Sequence, residues 1–228
     1  MSTLYIVATP IGNLEDISPR ALETLRAVDL VVCEDTRVTK KLLKHYGITT
    51  LTESYHARSS PAKIEKIVNY MKEGKDIALV SDAGTPAISD PGALLVSRAT
   101  EALGEHLLVV PIPGPSAVTA ALSASGLPAS EFLFLGFLPH KKGRAKLFSE
   151  ITASMRTVVF YESPHRILKT LGSLAEALSP VRRVVIAREL TKIFEEVVSG
   201  SPAAVASFFM DNPDKVRGEF VVMVSGAR

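Results

Sequence analysis

The chain has one cysteine, no tryptophan and no apolar run long enough to span a bilayer. A lone thiol, Cys33, excludes a disulfide framework and leaves cysteine-based zinc sites without ligands. The five histidines, at positions 45, 56, 106, 140 and 165, are scattered, so no metal centre is expected. Familiar phosphate and nucleophile signatures are also missing. There is no G-x-x-x-x-G-K-[ST], no G-x-G-x-x-G after the first apolar run, no H-E-x-x-H and no G-x-S-x-G. Aromatic residues make up only 6%, which argues against an extended base-stacking platform. The net charge of +2 announces no polyanion partner, so any basic footprint must be local. Residues 4–8 are too short for the core of a signal peptide, and the expectation is a soluble cytoplasmic protein with no membrane partner.

What remains is a regular alternation. Continuous apolar runs at residues 4–8, 30–33, 77–80 and 107–110, with a weaker one at 48–52, read as strands covered on both faces. Ser18-Pro19 and Ser60-Pro61 mark helix starts, as N-cap and first-turn proline. A basic amphipathic helix is expected over 38–46 and others over 93–103 and 117–125. Five strands alternating with helices predict a mostly parallel sheet in an N-terminal α/β domain, residues 1–112. Three prolines within residues 111–115 cannot continue a strand or sit in a helix, and 113–116 is read as the linker. The second α/β domain, 117–228, shows strands at 132–137, 157–162, 184–187, 195–198 and 219–224, with a helix opened by Ser163-Pro164 and another at 202–210. The connection between the runs at 184–187 and 195–198 is too short for a crossover helix, so those strands should pair antiparallel in a mixed sheet.

Chemistry is expected on the Pro/Gly loops that follow strands. Residues 81–92, SDAGTPAISDPG, form a long loop with Asp82 right at a strand end. Residues 9–13 and 113–116 are similar, and all three could gather on one sheet edge, where small residues let backbone groups approach a ligand. No lysine is placed there to neutralise a triphosphate, which suits a neutral or zwitterionic ligand carrying an adenine. The plainer reading is a set of connections rich in turn formers.

In order along the chain stand ATPIGNLEDISPRALETL, CEDTR, SDAGTPAISDPG, PIPGPSAVTAALSASGLP, GFLP with basic residues after it, FYESPHRI and ARELTKIFEE. Together these resemble the ribosomal RNA small subunit methyltransferase I family, in the tetrapyrrole-methylase fold superfamily, over nearly the whole chain. The resemblance implies a homodimer of two-domain α/β subunits with S-adenosylmethionine bent in the cleft between the domains. It implies an enzyme that methylates a cytidine ribose 2′-hydroxyl in the decoding region of 16S rRNA, taken as free rRNA or the assembled small subunit. Longer relatives carry a C-terminal helical extension after the final strand; if that extension aids RNA binding, this chain is expected to rely more on its basic loops.

Residue by residue, the family pattern places cofactor contacts at Pro10, at Asp82, Gly84 and Thr85, at Ser116 and Ala117, and at Phe160, Tyr161 and Arg188. Here Ser-Asp-Ala-Gly-Thr-Pro replaces the Gly-Asp-Pro of the tetrapyrrole enzymes, so atom-level roles differ. Phe160 is equally readable as ordinary core. In-line methyl transfer to a hydroxyl needs alignment and loss of a proton. Glu189 stands first among the candidate bases, ahead of Glu162 and Glu34, with Asp35, His165 and Lys192 as further orienting groups; all are also readable as strand-end ion pairs. His140, Lys141, Lys142, Arg144 and Lys146 form a basic loop suited to RNA phosphates, and Arg37, Lys40, Lys41 and Lys44 line one helix. A solvated charged face is the competing reading, above all for the helix. Two rival functions remain: a precorrin C-methyltransferase of the same fold, and a ribosome-binding or nucleotide-sensing module that binds S-adenosylmethionine without turnover.

Overall fold

A computed structural model describes residues 1–227. The chain divides into two compact units, one ending at Ser116 and the next beginning at Ala117.

In the first unit, β1 (Ser2–Val7), β2 (Leu30–Cys33), β3 (Thr52–Ser54), β4 (Ile77–Val80) and β5 (Leu107–Ile112) form one sheet in the order β3-β2-β4-β1-β5. Every pairing is parallel. LVVC and IALV are buried at every position, as strands covered on both faces must be. One face packs on α1 (Pro19–Ala27) and α2 (Thr36–His45) through Val7, Leu25, Val31 and Leu43. The opposite face packs on α3 (Pro61–Lys72) and α4 (Ala93–Leu103) through Leu4, Ile67, Leu79 and Leu95. Burying each such side chain contributes about 1.5–3 kcal/mol. Helix starts follow the expected capping: Ser18 Oγ accepts from Ala21 N–H at 3.1 Å, and Ser60 Oγ from Lys63 N–H at 3.3 Å.

In the second unit, β6 (Phe132–Phe137), β7 (Thr157–Glu162), β8 (Val184–Arg188), β9 (Glu196–Gly200) and β10 (Phe220–Val224) form a sheet in the order β6-β7-β10-β8-β9. β6 and β7 are parallel, whereas β10 runs antiparallel to both neighbours and β9 antiparallel to β8, giving the expected mixed sheet. One face is covered by α6 (Arg144–Ala153), α7 (Ile167–Ala177) and α8 (Pro202–Asp211), the other by α5 (Ala117–Ser125).

Several boundaries differ from the sequence reading, and four of them have a clear local reason. β5 runs through Pro111, which pairs with Ile6; β5 is an edge strand, where a missing N–H costs no ladder bond. β3 begins at Thr52 rather than residue 48, because Ile48 N–H turns back to Leu43 O at 2.8 Å and Gly47 N–H to Lys44 O, a Schellman closure of α2. α2 starts at Thr36, not 38, because Asp35 caps it through Arg37 N–H at 2.8 Å. α7 starts at Ile167, not at Ser163-Pro164: Ser163 N–H donates to its neighbour Glu162, and Ser163 Oγ accepts from Arg166 instead of capping.

Candidate functional site

β1 leads into α1 on one face of the first sheet and β4 into α4 on the other, yet β1 and β4 are neighbours. Chains leaving adjacent strands toward opposite faces open a crevice at the carboxyl edge, the place where ligands bind in open α/β sheets. Here the two departing loops are pinned to each other. Thr9 N–H donates to Gly84 O at 2.9 Å and Gly84 N–H to Thr9 O at 3.0 Å. Thr9 Oγ1 also donates to Ser81 O at 3.2 Å. The third loop joins through Thr85 Oγ1, which donates to Pro115 O at 3.1 Å. The small residues are needed. Gly84 has φ +82°, and a Cβ there would meet Ile11 Cγ2 at 3.4 Å; a Cβ on Gly114 would meet Ala8 Cβ at 3.0 Å. Further along, Ala87 (φ 69°) and Ser89 (φ 66°) hold left-handed conformations, which cost about 1 kcal/mol or more each and persist only where the surroundings demand them.

This edge is acidic. Asp82 is exposed, and its Oδ1 accepts from Asp35 N–H at 2.9 Å. Asp35 is chelated by Arg37, with Nη2 2.6 Å from Oδ2; the side-chain hydrogen bond and the Arg37 N–H hold its carboxyl down to about 2. Glu34 moves the other way. Burial and Asp82 push it above the ordinary carboxylate range against the opposing pull of His56. Asp90 is pushed up to about 6 by burial and by Glu34, with the Ser81 hydroxyl pulling against them and Asp82 adding to the rise. Asp90 was missed as a titrating group by the sequence reading; only its place in the same loop as Asp82 hinted at it. Pro10 is buried directly after the pinned Thr9. On α2, Lys40, Lys41 and Lys44 are exposed, whereas the exposed Arg37 guanidinium is engaged with Asp35.

In the second unit, His140, Lys141, Lys142 and Lys146 are exposed, and Gly143 with φ +86° begins α6. Arg144 turns inward instead, its Nη2 donating to Thr170 Oγ1 at 2.8 Å. The Glu162 side chain is 0% exposed and lies 2.7 Å from Arg166 Nη2. His165 is exposed beside it in sequence. Glu189 follows β8 with φ 50°, and its Oε1 accepts from Lys192 Nζ and from Glu219 N–H, both at 2.9 Å. Burial raises its carboxyl, but Lys192, the Glu219 N–H and Arg188 outweigh burial and leave it below the ordinary range. Arg188 is spent on carbonyls, with Nε donating to Arg217 O at 3.0 Å and Nη1 to Phe194 O at 3.2 Å. Of the aromatic pair, the Phe160 ring is sealed in the core against α6, α7 and α8, so only Tyr161 offers a partly open ring, packed edge-on to Phe134 at 5.1 Å. Ser116 closes the first unit and Ala117 opens α5; both are half-buried.

Among the described residues no helix is long and apolar enough to cross a membrane, and no three His, Cys, Asp or Glu groups are arranged to hold a metal ion.

The profile of the family described as Tetrapyrrole (Corrin/Porphyrin) Methylases matches residues 3–206. The chain is 50% identical over 225 residues to the Ribosomal RNA small subunit methyltransferase I of Mesorhizobium japonicum, covering 98% of this chain and 75% of that one. It is 49% identical over 226 residues to the protein of the same name from Xylella fastidiosa, covering 99% and 82%. Among solved structures, a cobalt precorrin-4 methyltransferase superposes with TM-score 0.69 at 19% identity, covering 98% of this chain and 94% of that one.

Proposed function

Because the chain belongs to the ribosomal RNA small subunit methyltransferase I family, within the tetrapyrrole methylases, we propose that it transfers a methyl group from S-adenosylmethionine to the ribose 2′-hydroxyl of a cytidine in the decoding region of small-subunit rRNA. The observation that carries the choice of substrate is identity of 49–50% along 98% or more of the chain with the rRNA enzymes, against 19% with a precorrin enzyme that shares the fold.

The residues of the pinned edge fit the cofactor. Residues 9–13, 82–86 and 113–116 contain one carboxylate, Asp82, and no basic side chain, so they offer backbone groups and negative charge rather than a phosphate cradle. S-adenosylmethionine supplies an electrophilic methyl group on a sulfonium. Pro10, Gly84, Thr85, Ser116 and Ala117 would hold it by close backbone approach, and Asp82 would accept from its hydroxyl or amino groups. Tyr161 is proposed for its adenine side. Phe160 can contribute only through its backbone, and Arg188 only by bracing the chain, since their side chains are committed elsewhere.

The acceptor hydroxyl must lose a proton as the new O–CH3 bond forms and the S–CH3 bond breaks. Glu34, whose carboxyl stands above the ordinary range, and Glu189 are the proposed acceptors. A loss of kcat at saturating cofactor in Glu34→Gln but not Glu189→Gln would select the first. His140, Lys141, Lys142, Lys146 and, on α2, Lys40 supply the proposed phosphate contacts. The same reading extends to a cytoplasmic homodimer acting on rRNA or the assembled small subunit; sedimentation checks the dimer.

The test is incorporation of labelled methyl from S-adenosylmethionine into small subunits or their rRNA, mapped to the nucleotide. Label found only in a precorrin, or saturable cofactor binding with no product on any RNA, overturns the reading.

A further inference from the structure

In the second unit, a carboxylate is shut away from solvent between two guanidinium groups, and the turn that bears the exposed lysines hangs from those guanidiniums. Glu162 Oε1 lies 2.7 Å from Arg166 Nη2 and accepts from Ser163 N–H at 2.9 Å. Its Oε2 accepts from Thr170 Oγ1 at 2.6 Å and faces Arg144 Nη1 at 3.7 Å. Thr170 is itself fully buried and accepts from Arg144 Nη2 at 2.8 Å, closing the ring of partners. With its oxygens occupied and its side chain 0% exposed, Glu162 has no path to a substrate proton.

Both arginines then reach on to the chain just before the basic turn. Arg166 Nη1 donates to Leu138 O at 2.6 Å, and Arg144 Nη1 to Pro139 O at 3.4 Å. On the far side the turn ends on Arg144, whose N–H donates to Lys141 O at 3.2 Å. Residues 140–143 are therefore held at entry and exit by groups whose only buried counter-charge among the described residues is Glu162. Without that charge two guanidiniums face each other in a partly buried site, and the cheapest relief is for Arg144 to swing outward and release the turn.

We propose that Glu162 is a positioning residue for RNA binding: through Arg144 and Arg166 it sets the turn so that Lys141 and Lys142 meet the RNA backbone as a preorganised pair. This rests on the reading of the protein as an rRNA methyltransferase. Arg144, whose residue type pointed to a phosphate contact, is assigned to the scaffold of that surface rather than to the RNA.

The experiment compares Glu162→Gln and the milder Thr170→Val, each alone and in a Lys141→Ala/Lys142→Ala background, using the whole chain. Small ribosomal subunits are titrated across a range of salt, and S-adenosylmethionine affinity is measured by calorimetry. Each scaffold variant alone is expected to weaken subunit binding about tenfold, with KM for subunits rising in step and cofactor affinity unchanged. In the lysine-less background the same substitutions should cost nothing further, because the group they position is gone. Equal losses in both backgrounds overturn the proposal, as do unchanged subunit binding in the folded variants or a parallel loss of cofactor affinity. If neither variant folds, the cluster is a staple of the fold and the proposal is overturned. If the unaltered protein binds neither subunits nor rRNA, the functional reading itself fails, a result distinct from the others.

Discussion

Thr9 and Gly84 exchange two main-chain hydrogen bonds, 2.9 and 3.0 Å long, across the gap between the loops that follow β1 and β4. Two loops leaving neighbouring strands for opposite faces would otherwise part at this point. The bridge keeps the crevice floor closed and fixes Gly84 in a left-handed conformation that only glycine adopts without cost. Gly84→Ala is therefore expected to lower stability by about 1–2 kcal/mol and to weaken S-adenosylmethionine binding. Gly47→Ala is the control. Gly47 has φ +62° with nothing within 4 Å of an added Cβ, so it should cost similar stability and leave cofactor affinity alone. Denaturant unfolding and calorimetry on both variants decide the matter; equal cofactor affinity in the two would detach the bridge from the site.

Asp82 has two jobs that substitution can separate. Its Oδ1 accepts Asp35 N–H, which ties the end of β4 to the cap of α2. Its charge is the one carboxylate within residues 9–13, 82–86 and 113–116, the segments proposed to hold the cofactor. Asp82→Asn keeps an acceptor for Asp35 and removes the charge, so a loss of cofactor affinity there reports charge alone. Asp82→Ala should lose that affinity and about 1 kcal/mol of stability as well, from the unpaired N–H. Calorimetry showing Asp82→Ala with unaltered affinity would take Asp82 out of the site.

Asp90 gives the site a pH signature whose sign follows from the direction of its shift. Its folded carboxyl titrates at about 6, above the ordinary 3.8, because burial and Glu34 disfavour the charge. Between those two values the folded chain holds a proton that the unfolded chain has released, so stability falls as pH rises through the window and levels off above it. Asp90→Asn removes the penalty. The variant should match the parent near pH 4 and exceed it by about 1 kcal/mol at pH 7, a figure reduced for the screening of a half-buried group. Parallel stability curves for the two proteins from pH 4 to 7 would show that Asp90 ionises normally.

Much of this was readable from residues alone, and the exceptions share a cause. LVVC and IALV announce buried parallel strands because nothing in them could face water. Ser18-Pro19 and Ser60-Pro61 start helices because their hydroxyls are free to cap. Ser163-Pro164 looks the same and does not, since the Glu162 carboxylate takes the Ser163 N–H and Arg166 takes its hydroxyl. The small-residue loops were legible as strand-end loops, but their pinning depends on β1 lying beside β4, a neighbourhood set by strand order. Asp90 was not legible for the same reason: the charge that perturbs it, Glu34, arrives just past the end of β2, far away in sequence. Local chemistry is written in the sequence, whereas a residue's electrostatic company is written in the topology.

Glu189 is held by its neighbours in a conformation that its own backbone resists. It adopts φ 50°, while Lys192 Nζ and Glu219 N–H fix its Oε1. The carboxylate lies over Gly218, where an added Cβ would fall 2.3 Å from its Cδ and Oε1. Gly218 itself has φ +89°, so Gly218→Ala meets both a backbone penalty and a pinned side chain. The expected cost is about 2–3 kcal/mol. Adding Glu189→Gly should recover part of it, because glycine relaxes at φ 50° and the obstructing carboxylate is gone. The two substitutions are thus expected to couple by at least about 1 kcal/mol in a double-mutant cycle measured by denaturant unfolding. Additive losses would mean that Glu189 swings aside freely, and a carboxylate free to swing is no longer held low by Lys192. In that case the acid limb of the pH–rate profile should move up in Gly218→Ala if Glu189 accepts the proton, and stay in place if Glu34 does.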